Sequence, residues 1–180
     1  MKLILARHGE TEENFNHLIQ GKDDGKLTQK GLEQSKKLGK ELKEKYKIDM
    51  VFCSPLGRCA ETLNNILEEY PIDGQIFMSK LIEERDFGEY TGVEDVLVDL
   101  EEIDQDNKIN KEMGVESLLD LKKRTDLFLE DLKLEEAETI LVVSHSGPIR
   151  MMVNKLTGKN FDEISIGNAE IMEFEILISD

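Results

Sequence analysis

The sequence predicts an α/β fold: a three-layer α/β/α sandwich around a mostly parallel central sheet, with an edge strand near the C-terminus. Three observations predict it. Short apolar runs, Leu3-Ile4-Leu5-Ala6, Asp49-Met50-Val51-Phe52-Cys53 and Thr139-Ile140-Leu141-Val142-Val143, have the length and composition of strands buried on both faces. Stretches of helical periodicity lie between them, and strands alternating with helices are the pattern of parallel crossover units. The three runs also end in residues with chemistry, Arg7-His8, Ser54 to Arg58, and His145. In open α/β sheets ligands bind beyond the carboxyl ends of the strands.

The elements follow in order. The first strand stops abruptly at Arg7-His8-Gly9-Glu10-Thr11, which by itself reads equally as a strand terminus or as a delivered catalytic pair. Thr28 is a suitable N-cap for a helix over residues 28–45, along which Leu32, Ser35, Leu38, Gly39 and Leu42 keep one face. After the second strand, Ser54-Pro55-Leu56 turns into a helix to about residue 70, where Pro71 stops it. Residues 75–78 form a weaker strand, and 81–92, with mixed charge, aromatics and two glycines, read as a loop. The acidic, weakly patterned stretch 93–113 is expected to be a helical or partly mobile insertion, so that about 83–113 reads as an insertion or lid. Leu118, Leu121, Phe128 and Leu132 place an amphipathic helix over 115–133. Pro148 suits the first turn of a helix running to about residue 156, before Gly158. Alternating charged and apolar residues over 170–178 read as a half-exposed edge strand. With no linker or internal repeat, residues 1–180 are expected to form a single domain.

Composition narrows the function. A net charge of −16, from 39 acidic against 23 basic residues, would repel nucleic acid. No apolar run approaches the ~20 residues of a membrane span, and the N-terminus lacks the pattern of a signal peptide, so a cytoplasmic location is expected, with no membrane partner. Cys53 and Cys59 suit neither a disulfide framework nor a structural zinc site. The segment from Cys53 to Arg58 is superficially like the phosphate loop of cysteine phosphatases, but four residues separate the pair where that loop has five. A buried inert thiol is expected at Cys53. No His-x-x-x-His spacing occurs, and neither metal nor other cofactor is expected. Of the five arginines, Arg7, Arg58, Arg85 and Arg150 lie in or beside the segments that carry chemistry, while Arg124 falls in an ordinary helix pattern. Guanidiniums gathered in an acidic chain suggest an anion site, because the planar fork matches phosphate oxygens. Oligomeric state has no signature in the sequence.

Taken in order, Arg7-His8-Gly9-Glu10-Thr11 with Asn14, Gly21 to Asp24, Leu27-Thr28 with Gly31 and Gln34, Ser54-Pro55-Leu56-Gly57-Arg58 with Thr62, Glu84-Arg85-Asp86-Phe87-Gly88 with Gly92, and Val143-Ser144-His145-Ser146-Gly147 with Ile149-Arg150 resemble the histidine phosphatase superfamily, in the branch of phosphoglycerate mutases and small phosphatases such as α-ribazole phosphatase. The resemblance implies a metal-independent phosphatase that hydrolyses small phosphate monoesters through a phosphohistidine on His8. It implies further that Arg7, Arg58 and His145 hold the phosphoryl oxygens, with Asn14, Gly21 and the backbone near Ser146 adding contacts. The family places a general acid in the loop after the third strand. Its spacing to Phe87-Gly88 selects Glu84, with Glu83 as runner-up. A chain ending soon after the last strand favours phosphatase over phosphoglycerate mutase, since the mutases carry further segments that exclude water. A non-catalytic phospho-ligand binder is the other alternative. Lys26, Tyr90-Thr91-Gly92 and Ser146 depart from the usual pattern and leave the substrate unread beyond a small phosphorylated metabolite. His17 is expected to be a surface bystander, Arg85 either an ion-pair or a rim residue, and Arg150 a helix-surface residue.

Overall fold

A computed structural model describes residues 1–100, 103 and 107–176. Its sheet has five strands in the order β3-β2-β4-β1-β5: β1 Lys2–Arg7, β2 Met50–Cys53, β3 Gln75–Met78, β4 Thr139–Ser144 and β5 Ile171–Glu175. All neighbours are parallel except β1 and β5. The helices among the described residues are α1 Glu12–Phe15, α2 Gln29–Lys45, α3 Gly57–Glu69, α4 Asn107–Met113, α5 Leu118–Leu132 and α6 Ser146–Thr157. None is long and apolar enough to cross a membrane.

Alternation along the central strands divides the core into two layers. Leu3, Leu5, Ile140 and Val142 face one side and pack with Phe128, Leu132, Ile149 and Met152 of α5 and α6. Ile4, Ala6, Val51, Leu141 and Val143 face the other and pack with Leu38, Leu42, Leu63 and Ile66 of α2 and α3. Each fully buried Leu or Ile contributes roughly 1.5–3 kcal/mol, so the three-layer arrangement follows from where the strands put these side chains. A third cluster, Ile19, Val98, Ile103 and Val115 with Phe87 and Tyr90, lies outside both layers.

The N-caps are Thr28 for α2 and Ser117 for α5, each accepting a backbone N–H in the first turn. Helix α5 therefore starts at Leu118 rather than at residue 115, because Val115 pairs with Phe87 in an isolated bridge instead. The stretch expected as a loop over 81–92 contains 3-10 turns at Lys80–Ile82 and Gly88–Tyr90. Of the expected insertion, Asp95–Leu97 is a 3-10 turn and α4 is helical, and its remaining acidic centre falls partly outside the described residues. Strand β5 is shorter than the alternation suggested, and positions 177 and 178 are likewise outside the description.

Helix α2 lies so close to the end of β1 that a Cβ on Gly31 would sit 2.0 Å from the Glu10 carbonyl oxygen. Only glycine allows that approach, which brings Gln34 Oε1 within 2.9 Å of the Glu10 N–H it accepts. The loop that follows His8 is thereby fixed against a helix.

Candidate active site

Register places the unusual strand ends together. Arg7 is opposite Ser144 across the β1–β4 pair, and Cys53 is opposite Val143 across β2–β4. His8 N–H donates to Ser144 O at 3.1 Å, and Ser54 N–H to Val143 O at 2.9 Å. His8, Ser54 and His145 thus leave three adjacent central strands at one edge of the sheet.

A cavity of about 130 Å³ opens there, lined by Arg7, His8, Asn14, Gln20, Gly21, Arg58, Glu84 and Phe87, among others. This is the liquid volume of about four waters, room for a phosphoryl group. Helix α1 supplies Asn14 through a reciprocal capping box. Thr11 Oγ1 accepts from Asn14 N–H at 3.2 Å, and Asn14 Oδ1 accepts from Thr11 N–H at 3.3 Å.

The imidazole of His8 is buried, and Gly9 O lies 2.8 Å from its Nδ1. A carbonyl can only accept, so Nδ1 carries the proton and Nε2 keeps its lone pair. Arg58 Nε–H meets that lone pair at 3.2 Å. Burial first, then Arg58 and Arg7, hold the His8 pKa well below the ordinary histidine value. His8 is therefore a neutral base between two cations.

Arg58 is fully buried, with Nη2 donating to Gly21 O at 2.9 Å and Nη1 to Asp23 O. The loop containing Gly21 thus acts on the cavity through its carbonyls, by aiming Arg58. Arg7 Nη1 donates to Ile166 O at 2.8 Å, while its Nε is buried without a partner among the described residues. An orphaned buried donor costs about 1–3 kcal/mol, and an anion is the ligand that such a group suits. Burial lowers the pKa of both guanidiniums, while Glu84 opposes that shift.

Glu84 stands on the cavity wall and accepts from Arg85 N–H at 2.8 Å and from Gly147 N–H at 3.4 Å. A Cβ at position 147 would lie 2.3 Å from Glu84 Oε1, so any larger residue at the α6 N-terminus would displace the carboxylate from this place on the wall. Glu83 faces elsewhere and pairs with Lys22 at 3.6 Å. Arg124, which looked like an ordinary helix residue, anchors the Glu84 segment. It donates to Leu81 O at 2.8 Å and Glu84 O at 3.1 Å, and binds the Glu116 carboxylate at 2.6 Å.

His145 is fully buried, its ring centroid 5.2 Å from that of His8. Its Nε2 is 2.7 Å from Ser54 Oγ, and Cys59 Sγ packs 3.4 Å from the same atom. It lies behind the cavity wall rather than on it. Ser146 lines a neighbouring cavity of about 260 Å³ with Arg85, Phe87, Arg150 and Phe161, and Glu84 borders both spaces. Arg150 accordingly reaches a cavity rather than bare helix surface, with its guanidinium 3.8 Å above the Phe161 ring. Arg85 is buried and donates to Glu116 O at 2.7 Å. His17 is 80% exposed and outside these spaces. Burial raises both thiols, Cys53 to about 12. A larger cavity of about 450 Å³, between α2 and the start of β5, contains none of the expected site residues.

Burial likewise holds His145 well below the ordinary value. Both histidines stay neutral in the folded protein at pH values where the unfolded chain takes up protons. Stability is therefore expected to fall as pH drops below about 6.5, by up to about 1.4 kcal/mol per pH unit for each histidine. Urea unfolding at pH 7.5 and 5.5 measures this, and His8→Gln should show a shallower slope than wild type. Equal slopes would mean that His8 titrates normally in the fold.

The model of the histidine phosphatase superfamily (branch 1) matches residues 3–177. Phosphoserine phosphatase 1 of Hydrogenobacter thermophilus is 33% identical over 88% of this chain and 77% of its own length. The 2,3-bisphosphoglycerate-dependent phosphoglycerate mutase of Mesorhizobium japonicum is 31% identical over 90% of this chain and 84% of its own. Among solved structures, phosphoserine phosphatase of Entamoeba histolytica in complex with 3-phosphoglyceric acid superimposes with a TM-score of 0.75 at 28% identity, covering 97% of this chain and 90% of that one.

Proposed function

The chain belongs to the histidine phosphatase superfamily, and from that premise we propose that it hydrolyses small phosphate monoesters without a metal ion, through a phosphohistidine on His8. One observation carries the proposal: a neutral imidazole with its Nδ1 proton tied to Gly9 O stands between two guanidiniums on the wall of a phosphoryl-sized cavity. A lone pair at Nε2 is what an in-line attack on phosphorus requires.

In the first displacement the Nε2–P bond forms as the ester P–O bond breaks. The Glu84 carboxyl gives its proton to the departing alkoxide. An incoming phosphoryl oxygen competes for the Arg58 Nε–H and so releases the lone pair it holds. Arg7 and Arg58 then stabilise the charge on the equatorial oxygens, with Asn14 on the same wall as a further donor. In the second displacement Glu84 takes a proton from water, whose oxygen attacks phosphorus as the N–P bond breaks. The products are inorganic phosphate and neutral His8.

Glu84 borders the 260 Å³ cavity as well as the phosphoryl cavity, which favours that space for the leaving group and a small metabolite as substrate. A proton donor placed there also favours turnover over mere binding. Among the described residues no three His, Cys, Asp or Glu side chains gather as a metal site, and two guanidiniums beside His8 would oppose a dication. The similarity to phosphoglycerate mutases supports a second reading, in which the phosphoryl group returns to another hydroxyl rather than to water.

The protein in EDTA is expected to release phosphate from para-nitrophenyl phosphate and from members of a metabolite monoester panel, with a phosphoglycerate mutase assay run beside it. Hydrolysis restored only by a divalent cation would contradict the metal-free mechanism. Mutase turnover above hydrolysis would move the proposal to the second reading.

A further inference from the structure

The structure assigns Asn168, a residue that neither strand nor helix patterning singles out, as a positioning residue that fixes the Asn14 amide with its NH2 group turned toward the phosphoryl cavity. The side chain of Asn168 lies against two acceptors. Its Nδ2 is 3.3 Å from His8 O and 2.9 Å from Asn14 Oδ1.

Amide orientation follows from the hydrogen-bond network, and here the network leaves one solution. A backbone carbonyl can only accept, so the Asn168 atom beside His8 O must be Nδ2. The Asn14 atom it also meets must then be an acceptor, Oδ1. From the other side Thr11 N–H reaches the same oxygen at 3.3 Å. Two donors, one on a backbone that cannot flip, hold Oδ1 away from the cavity. Asn14 Nδ2 has no partner among the described residues, and Asn14 lines the cavity, so its two N–H groups are the ones offered to a phosphoryl oxygen.

The backbone around Asn168 is built for this contact. Ala169 adopts φ 54°, a left-handed conformation unfavourable for a residue with a Cβ. In that conformation Ala169 N–H donates to His8 O at 3.0 Å while the Asn168 side chain reaches the same carbonyl. The bond from Ala169 does not involve the Asn168 side chain, so truncating that side chain leaves His8 O with a donor and acts on Asn14.

The role rests on the proposed phosphoryl chemistry, and its test separates the two. Inorganic phosphate affinity by calorimetry, and kcat and KM on para-nitrophenyl phosphate, are measured for wild type, Asn14→Ala, Asn168→Ala, the double variant and Asn168→Asp. Asn168→Ala is expected to weaken phosphate binding and lower kcat/KM about tenfold. The double variant should be no worse than Asn14→Ala alone, because Asn168 acts through Asn14. Asn168→Asp keeps the shape but can only accept, so it should draw Asn14 Nδ2 away from the cavity and cost at least as much as alanine. It also decides the matter if Asn168→Ala does not fold. Losses that multiply in the double variant, an unchanged Asn168→Ala, or a fully active Asn168→Asp would each overturn the assignment. If wild type turns over no monoester, the hydrolase proposal fails, and the phosphate affinities still decide the role of Asn168.

Discussion

Replacing His8 by alanine is expected to lower kcat/KM on para-nitrophenyl phosphate by at least about four orders of magnitude, since a reaction split into two displacements loses both when its nucleophile goes. The effect should fall on kcat, with binding of inorganic phosphate retained. Arg7 and Arg58 are held by carbonyls of Ile166, Gly21 and Asp23 rather than by His8 alone, so the cationic cavity survives the truncation. An added imidazole buffer has space to enter where the ring was removed, and partial rescue by it would locate the lost function in the nucleophile. A residual rate within tenfold of wild type would point to a different attacking group. The buried thiols are poor candidates for that role, because burial keeps both protonated at neutral pH.

Glu84→Gln is expected to lower turnover of an alkyl phosphate monoester by about 10²- to 10⁴-fold, the usual contribution of a positioned acid–base group. The neutral amide keeps the size of the side chain and an acceptor oxygen for the Arg85 N–H, and its NH2 group replaces only the oxygen that the Gly147 N–H meets at the longer distance of 3.4 Å, so the fold should be retained. The loss should depend on the leaving group. para-Nitrophenolate departs without a proton, so the first displacement should survive while the second, which needs a base for water, slows. A burst of nitrophenolate close to one equivalent per enzyme, followed by a slow phase, is the expected trace in stopped flow. Glu83→Gln should cost little by comparison, because Glu83 is paired with Lys22 outside the cavity. An equal or larger loss at position 83, or a nitrophenolate trace without a burst at 84, would remove Glu84 from the acid–base role.

The central fold was legible because its signals are local. The apolar runs of β1, β2 and β4 and the cap at Thr28 lie within a few residues of the elements they define. The expected start of α5 at residue 115 missed because Val115 answers to Phe87, 28 positions earlier, rather than to its own helix. The same distinction separates the site residues. Arg7, His8, Arg58 and Glu84 stand in compact motifs that the structure brings to one cavity. Arg124 and Asn168 reach the site only through contacts made after the chain has folded, across 40 positions to Glu84 O and 154 to Asn14. No spacing in the sequence announces such pairs. His145 and Ser146 sit beside that cavity rather than on its wall, because Ser54 and Cys59 hold the His145 ring and Ser146 opens toward the adjoining space.

Trapping the covalent intermediate tests the central claim most directly. Glu84→Gln, which should accumulate it, is mixed with para-nitrophenyl phosphate, quenched in alkali to preserve a phosphoramidate, digested and read by mass spectrometry. The expected result is a single phosphoryl group, acid-labile and alkali-stable, on the peptide that contains Arg7-His8-Gly9, absent from His8→Ala. Phosphate release with no label on His8, or label on a serine, cysteine or His145 peptide instead, would contradict it.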